Sequence, residues 1–239
     1  MKNDGKLLLA AFGRFLAYCL LAALPVFVLR QDLLGAGNTL GERSLVELTQ
    51  TGFLLASSAS FALLAWLCAQ ERRFALLASA FFMVMLVREQ DAWLDVLIGH
   101  GAWKLLAVPI ALAALAWAAA DWRASVGALL RFVSSRAGTL MLLGLAVLLC
   151  YSRLFGMTGH WTTVLGDGYV RTVKNAVEET TELLGYTFIL AASVHYLVHR
   201  LRALRRQPAG ACRPFLTRTR ALQGGISVRS GRSGHSCAG

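Results

Sequence analysis

Long apolar runs broken by short polar connections set the pattern of this chain. They cover about 7–29, 45–69, 74–98, 102–120, 137–155 and 180–201. A hydrocarbon core about 30 Å thick is crossed by about 20 helical residues, and each run has roughly that length. Their content of Ala and Leu, without strict alternation, predicts helices rather than buried strands. The expected fold is all-α: a polytopic membrane protein built as a six-transmembrane-helix bundle over 1–206. Past Gln207, Gly, Ser and Arg dominate with little apolar periodicity, which predicts a disordered basic cytoplasmic tail over 207–239.

The connections set an expected orientation. Lys2, Lys6, Arg72, Arg73, Arg123, Arg131, Arg136 and the segment from Arg200 onward hold sixteen of the twenty-four basic residues. All lie on one side if the N-terminus is inside. The positive-inside rule then predicts N-in, C-in in an inner (plasma) membrane. The first run is too long for a cleavable signal core, whose apolar stretch is about 7–15 residues, so it reads as an uncleaved span. Between runs four and five, DWRASVGALLRFVSSR predicts a short interfacial helix, apolar on one face and basic on the other.

Composition narrows the class. The chain is 56% hydrophobic and 15% charged, against about 25% charged in soluble domains. A net charge of +11 invites a nucleic-acid reading. The basic residues instead flank the apolar runs, so no nucleic acid is expected, and the predicted partner is the lipid bilayer. Cys19, Cys68, Cys150, Cys212 and Cys237 form no CxxC pair; they read as packing residues rather than a disulfide framework.

The acids fall the other way. Asp4, Glu71 and Asp121 lie inside; Asp32, Glu42, Glu47, Glu89, Asp91, Asp95, Asp167, Glu178, Glu179 and Glu182 lie at the outer side. The stretch VREQDAWLDVLIGHGAWK (87–104) concentrates them. Counting from Arg72 and Arg73 puts Arg88, Glu89 and Asp91 below the outer surface, with Asp95 near it. On one continuous helix Arg88, Asp91 and Asp95 share a face, which fits either an Arg88 lock on the two aspartates or a ligand site. Gly99-His100-Gly101 predicts a tight turn, followed by Lys104 at the start of the next span.

Glu47 and Gln50 are expected at the mouth of span two, and Glu178 and Glu179 at the mouth of span six, with Glu182 one turn deeper. The candidate polar cavity is therefore Glu47, Gln50, Arg88, Glu89, Asp91, Asp95, His100, Lys104, Glu178, Glu179 and Glu182. Carboxylates at membrane depth must pair, protonate or hold a cation. A structural alternative makes Asn175 the cap of span six, with Glu178 in its capping box.

His195 and His199 sit at i and i+4, a spacing that can hold a metal. The same HxxxH occurs in alkaline ceramidase and progestin-receptor-like membrane hydrolases. The resemblance ends there: those proteins have seven spans and an SxxxH helix that this chain lacks. The RExDxxxD, HGxWK and EExxE patterns together resemble small bacterial inner-membrane proteins, a resemblance that implies no activity.

The expected function is binding of a proton, a cation or a cationic solute in an outer-leaflet acidic cavity, as in a transporter, channel subunit or sensor. One alternative is a metal-dependent membrane hydrolase acting on a lipid or envelope substrate, with Asp91, Asp95, His100 and Glu182, or His160, as ligands. Another is a structural partner in a membrane complex, docking through the small residues Ala56–Ser60 or the outer loop Met157–Lys174. No cofactor is predicted. The pattern offers no broken helix of the transporter kind.

Overall fold

The apolar runs fold as helices throughout a computed structural model that describes residues 2–35 and 44–206. The expected tail (207–239), Glu42, Cys212 and Cys237 lie outside the described residues. In chain order the helices are α1 (Lys2–Gly35), α2 (Leu45–Leu67), α3 (Arg72–Glu89), α4 (Asp91–Leu97) and α5 (Trp103–Ala119). They continue with α6 (Trp122–Val133), α7 (Arg136–Ala146), α8 (Ser152–Phe155), α9 (Thr158–Leu165) and α10 (Arg171–Arg206). A π-helical turn, Val147–Tyr151, joins α7 to α8, and no strand occurs among the described residues.

Four helical segments are each long and apolar enough to cross a membrane: Asp4–Gly35, Leu45–Leu67, Arg136–Phe155 and Arg171–Arg205. Helices α5 and α6 meet the same measure only as a pair bent by 101°. The third apolar run departs most from expectation. It breaks at Gln90, whose backbone (φ −95°, ψ 18°) closes α3 and opens α4. A backbone break has no apolar signature, so the run 74–98 reads as continuous in sequence. The last run is longer than expected, because the polar turn Arg171–Asn175 is already helical.

The bundle is organised around α2, α3, α7 and α10. Leu54, Leu64, Leu183, Tyr186 and Ile189 are fully buried between them. An aromatic knot joins four elements: Phe61 of α2 stacks on Phe82 of α3 at 5.8 Å, and Phe132 of α6 meets Tyr196 of α10 edge-on at 4.8 Å. Helix α1 touches the bundle only through its second half, where Pro25, Val28 and Asp32 are buried; Leu7, Leu8 and Leu9 stand open. Such an apolar, unpacked helix face suits a surrounding of lipid rather than water.

Small residues decide the closest contact. A methyl group on Gly185 of α10 would lie 2.9 Å from Leu148 Cβ and 3.0 Å from the Gly144 carbonyl oxygen. A side chain at Gly185 would therefore force the α7–α10 crossing to shift, and one at Gly144 would press on Gly185 and Ile189 at 3.0 Å; small residues serve such crossings in membranes. Ala56–Ser60, expected to serve an outside partner, instead spends its two middle serines within the chain. Ser57 and Ser58 are buried, and Ser58 and Ser79 exchange hydroxyl-to-carbonyl bonds of 3.0 Å between α2 and α3. Helix α6 is the amphipathic helix that the sequence predicts. Asp121 caps it by accepting from Ala124 N–H at 3.2 Å.

Candidate functional site

Along the first third of α10, Lys174, Glu178, Glu182 and Tyr186 recur every fourth residue, which stacks them on one face. Lys174 Nζ lies 2.8 Å from Glu178, and Arg153 of α8 reaches Glu182 at 3.4 Å. Tyr186 donates its hydroxyl to Glu89 Oε1 of α3 at 2.9 Å, while Arg88 approaches the same oxygen at 4.0 Å. The Glu89 and Glu182 side chains are 18% and 12% exposed, so both point into the bundle. The two acids interact electrostatically, and Glu178 acts on Glu182 as well.

Glu179 stands beside that face and looks toward α1 and α2. Its main-chain carbonyl accepts from Gln50 Nε2 at 3.2 Å, and Gln50 is 4% exposed. Glu47 of α2 and Asp32 of α1 lie within electrostatic range of Glu179. Asp32 is 7% exposed; its Oδ1 accepts from Leu45 N–H at 3.1 Å, which ties the end of α1 to the start of α2. Its other oxygen, Oδ2, is buried and accepts no hydrogen bond among the described residues, and the same holds for Glu179 Oε2. Gln90, at the break in α3, donates to Thr51 of α2 at 3.0 Å and closes one side.

Six carboxylates from four helices are thus linked through α10: Asp32, Glu47, Glu89, Glu178, Glu179 and Glu182. The cations that act on Glu179 and Glu182 are Lys174, Arg153 and Arg88. A π-helical turn is often a feature of functional sites. Here it immediately precedes α8, the element that carries Arg153.

The sequence expectations divide at Gln90. Glu47, Gln50, Glu89, Glu178, Glu179 and Glu182 come together, with Arg88 at the edge. Asp91, Asp95, His100 and Lys104 do not. The Arg88 lock on Asp91 and Asp95 does not form among the described residues, because the helix breaks at Gln90 and α4 starts afresh at Asp91. Arg88 meets Glu89 instead, and Asp91 is exposed. Asp95 holds the following turn, accepting from Gly101 N–H at 2.9 Å with Oδ1 and meeting His100 Nδ1 at 3.0 Å with Oδ2. The His100 side chain is fully open to the surroundings. Gly99 and Gly101 have φ of +128° and +81°, the left-handed geometry that makes glycine the fitting residue there. Lys104 stacks over Trp103 at 5.8 Å, apart from the acids.

The weak metal set also separates. Among the described residues no group of three His, Cys, Asp or Glu side chains is arranged to hold a metal ion. Asp91, Asp95, His100 and Glu182 therefore do not form a centre, nor do His195 and His199, which are both exposed on α10. His160 faces the Leu154 carbonyl at 3.2 Å. Asn175 is not a cap, since α10 begins at Arg171. Glu178 pairs one turn back with Lys174 rather than in a capping box.

Sequence reasoning missed Asp32, Arg153, Lys174 and Tyr186 in this cluster, and a second buried carboxylate at the other end of α3. Glu71 is 0% exposed in the α2–α3 connection. Tyr196 of α10 donates to its Oε2 at 2.6 Å, while Arg200 Nη2 lies 2.7 Å and Arg131 Nε of α6 3.6 Å from Oε1. Oε1 accepts no angled hydrogen bond, so charge attraction carries those two contacts. Helix α10 thus grips both ends of α3 through a tyrosine–glutamate bond. The signal available in sequence was the recurrence of Glu at each end of one apolar run.

Comparison with protein-family models, curated proteins and solved structures finds no match for the chain.

Proposed function

We propose that this chain is a multi-pass membrane protein whose acidic chamber, formed by α1, α2, α3 and α10, binds a proton, a cation or a cationic solute. In this reading α3 with α4 forms a third span and α5 a fourth, giving six spans. Both termini face the cytoplasm, and the acidic end opens to the outer side of an inner membrane. The distribution of Lys and Arg supports that orientation.

One observation carries the binding reading: the buried, unsatisfied oxygens of Asp32 and Glu179, two carboxylates that act on each other electrostatically. A buried acceptor without a partner costs about 1–3 kcal/mol, and more if charged. Two such oxygens on interacting carboxylates favour any species that supplies a proton or positive charge.

The experiment is direct titration of the purified full chain in nanodiscs with potassium, calcium and tetramethylammonium, recording heat and proton release. Saturable binding of one of them, or proton uptake near neutral pH, that is weakened at least tenfold in Glu179→Gln supports the reading. Identical titrations for the wild type and Glu179→Gln sink it.

A further inference from the structure

Between α3 and α7, with α6 crossing beneath them, lies an open slot of about 460 Å³. Its walls are almost wholly apolar: Leu77 and Phe81 from α3, Val126 and Leu129 from α6, Met141 and Leu145 from α7. It exists because α6 leaves α5 at 101° and spans the space that two parallel helices would otherwise close. At about 30 Å³ for a water-sized group, the slot has room for about fifteen such groups, the scale of one acyl chain. Water gains nothing from a surface without polar partners, so such a space fills with hydrocarbon.

The charges around the slot indicate which hydrocarbon. At this end of the molecule the carboxylates are already matched: Asp121 lies 3.8 Å from Arg73, and Glu71 takes Arg131 and Arg200. Arg123 and Arg136 are exposed and have no carboxylate partner among the described residues. Arg136 opens α7, three residues after Val133 on the slot wall and five before Met141. Arg136 thus lies within a few residues of the slot wall at the positive end of α7, and its side chain is exposed. Trp117 and Trp122, at the α5–α6 corner, are exposed aromatic side chains of the kind that settle at headgroup level.

We infer that the slot holds one acyl chain of an anionic phospholipid whose phosphate meets Arg136. Arg123, at the far end of α6, contributes only general attraction to a negative surface. This site is separate from the acidic chamber and stands or falls without it.

The test is native mass spectrometry of the full chain in detergent, with phosphatidylglycerol and phosphatidylcholine of identical chains. One phosphatidylglycerol adduct is expected to outlast the rest. Arg136→Gln should weaken it about fivefold, the equivalent of about 1 kcal/mol for one basic residue at an anionic surface, whereas Arg123→Gln should change it less than twofold. Leu129→Trp, at a wall position already 42% exposed, should remove the adduct for either headgroup. If that variant misfolds, the two arginine variants still decide, since neither alters packing. Equal retention of both lipids by the wild type, equal effects of the two arginine variants, or a lipid-free dimer of the chain would each overturn the inference.

Discussion

Replacing Glu71 by Gln keeps the side chain's shape and its capacity to accept the Tyr196 hydroxyl, but removes the charge facing Arg200 and Arg131. Breaking a buried ion pair by neutralising one partner costs about 3–5 kcal/mol when both partners are buried. Here Glu71 is fully buried, but the Arg200 and Arg131 side chains are 23% and 51% exposed, so part of the lost attraction is recovered by hydration. The expected destabilisation is therefore about 2–3 kcal/mol. The assay is reversible unfolding in mixed micelles followed by tryptophan fluorescence, for Glu71→Gln, Arg200→Gln and the double variant. Because the groups touch, the double variant should be less destabilised than the sum of the singles by about 1–2 kcal/mol. Additivity within about 0.5 kcal/mol would show that Arg200 and Glu71 do not act as a pair, and the reasoning would fail.

Other outcomes follow from the same geometry. Gly185→Ala sets a methyl against Leu148 and the Gly144 carbonyl, and overpacking of this kind costs about 1–3 kcal/mol, read by the same unfolding assay; unchanged stability would mean that the α7–α10 crossing is looser than described. Ser58→Ala removes both bonds of the Ser58 hydroxyl to Ser79 and should cost only about 0.6 kcal/mol, the average for interhelical bonds in a bilayer; a loss above about 2 kcal/mol would give that pair a larger role. Tyr186→Phe removes the hydrogen bond that joins α10 to Glu89 and should cost about 1–3 kcal/mol of stability in the same unfolding assay; unchanged stability would mean that this bond does not hold α3 to α10. His100→Ala, on a side chain fully open to the surroundings, should leave cation titrations unchanged.

What could be read from sequence was set by the reach of each physical signal. Apolar runs long enough to cross a bilayer yielded the all-helical fold and, from Asp121 to Val133, an amphipathic segment at an angle to its neighbours. Depth counting brought Glu47, Glu89, Glu178 and Glu182 to one level, whereas Tyr186 carried no signal of its own. Depth counting failed after Gln90, because it assumes a straight helix and a single backbone break redirects every later side chain. Asp91, Asp95 and His100 were lost from the cluster for that reason. Asp32 and Glu71 lie next to connections, where composition predicts exposure. Both are buried by tertiary contacts: Asp32 through Leu45, Glu71 through Tyr196 and Arg200. Leu45 lies 13 residues from Asp32 and Tyr196 lies 125 from Glu71, beyond any local pattern.

The central claim is that the acidic chamber has carboxyl groups free for a proton or a cation. A hydrophobic carbodiimide attacks protonated carboxyl groups that sit out of water, and a bound cation shields them. The decisive measurement is peptide mapping of carbodiimide adducts on the full chain in membranes, with and without the cation found by titration. Modification should concentrate at Asp32 and Glu179, fall when the cation is added, and spare Glu71 in its arginine clamp. Labelling confined to Asp91 and Asp95, or labelling of Asp32 and Glu179 that no cation alters, would contradict it.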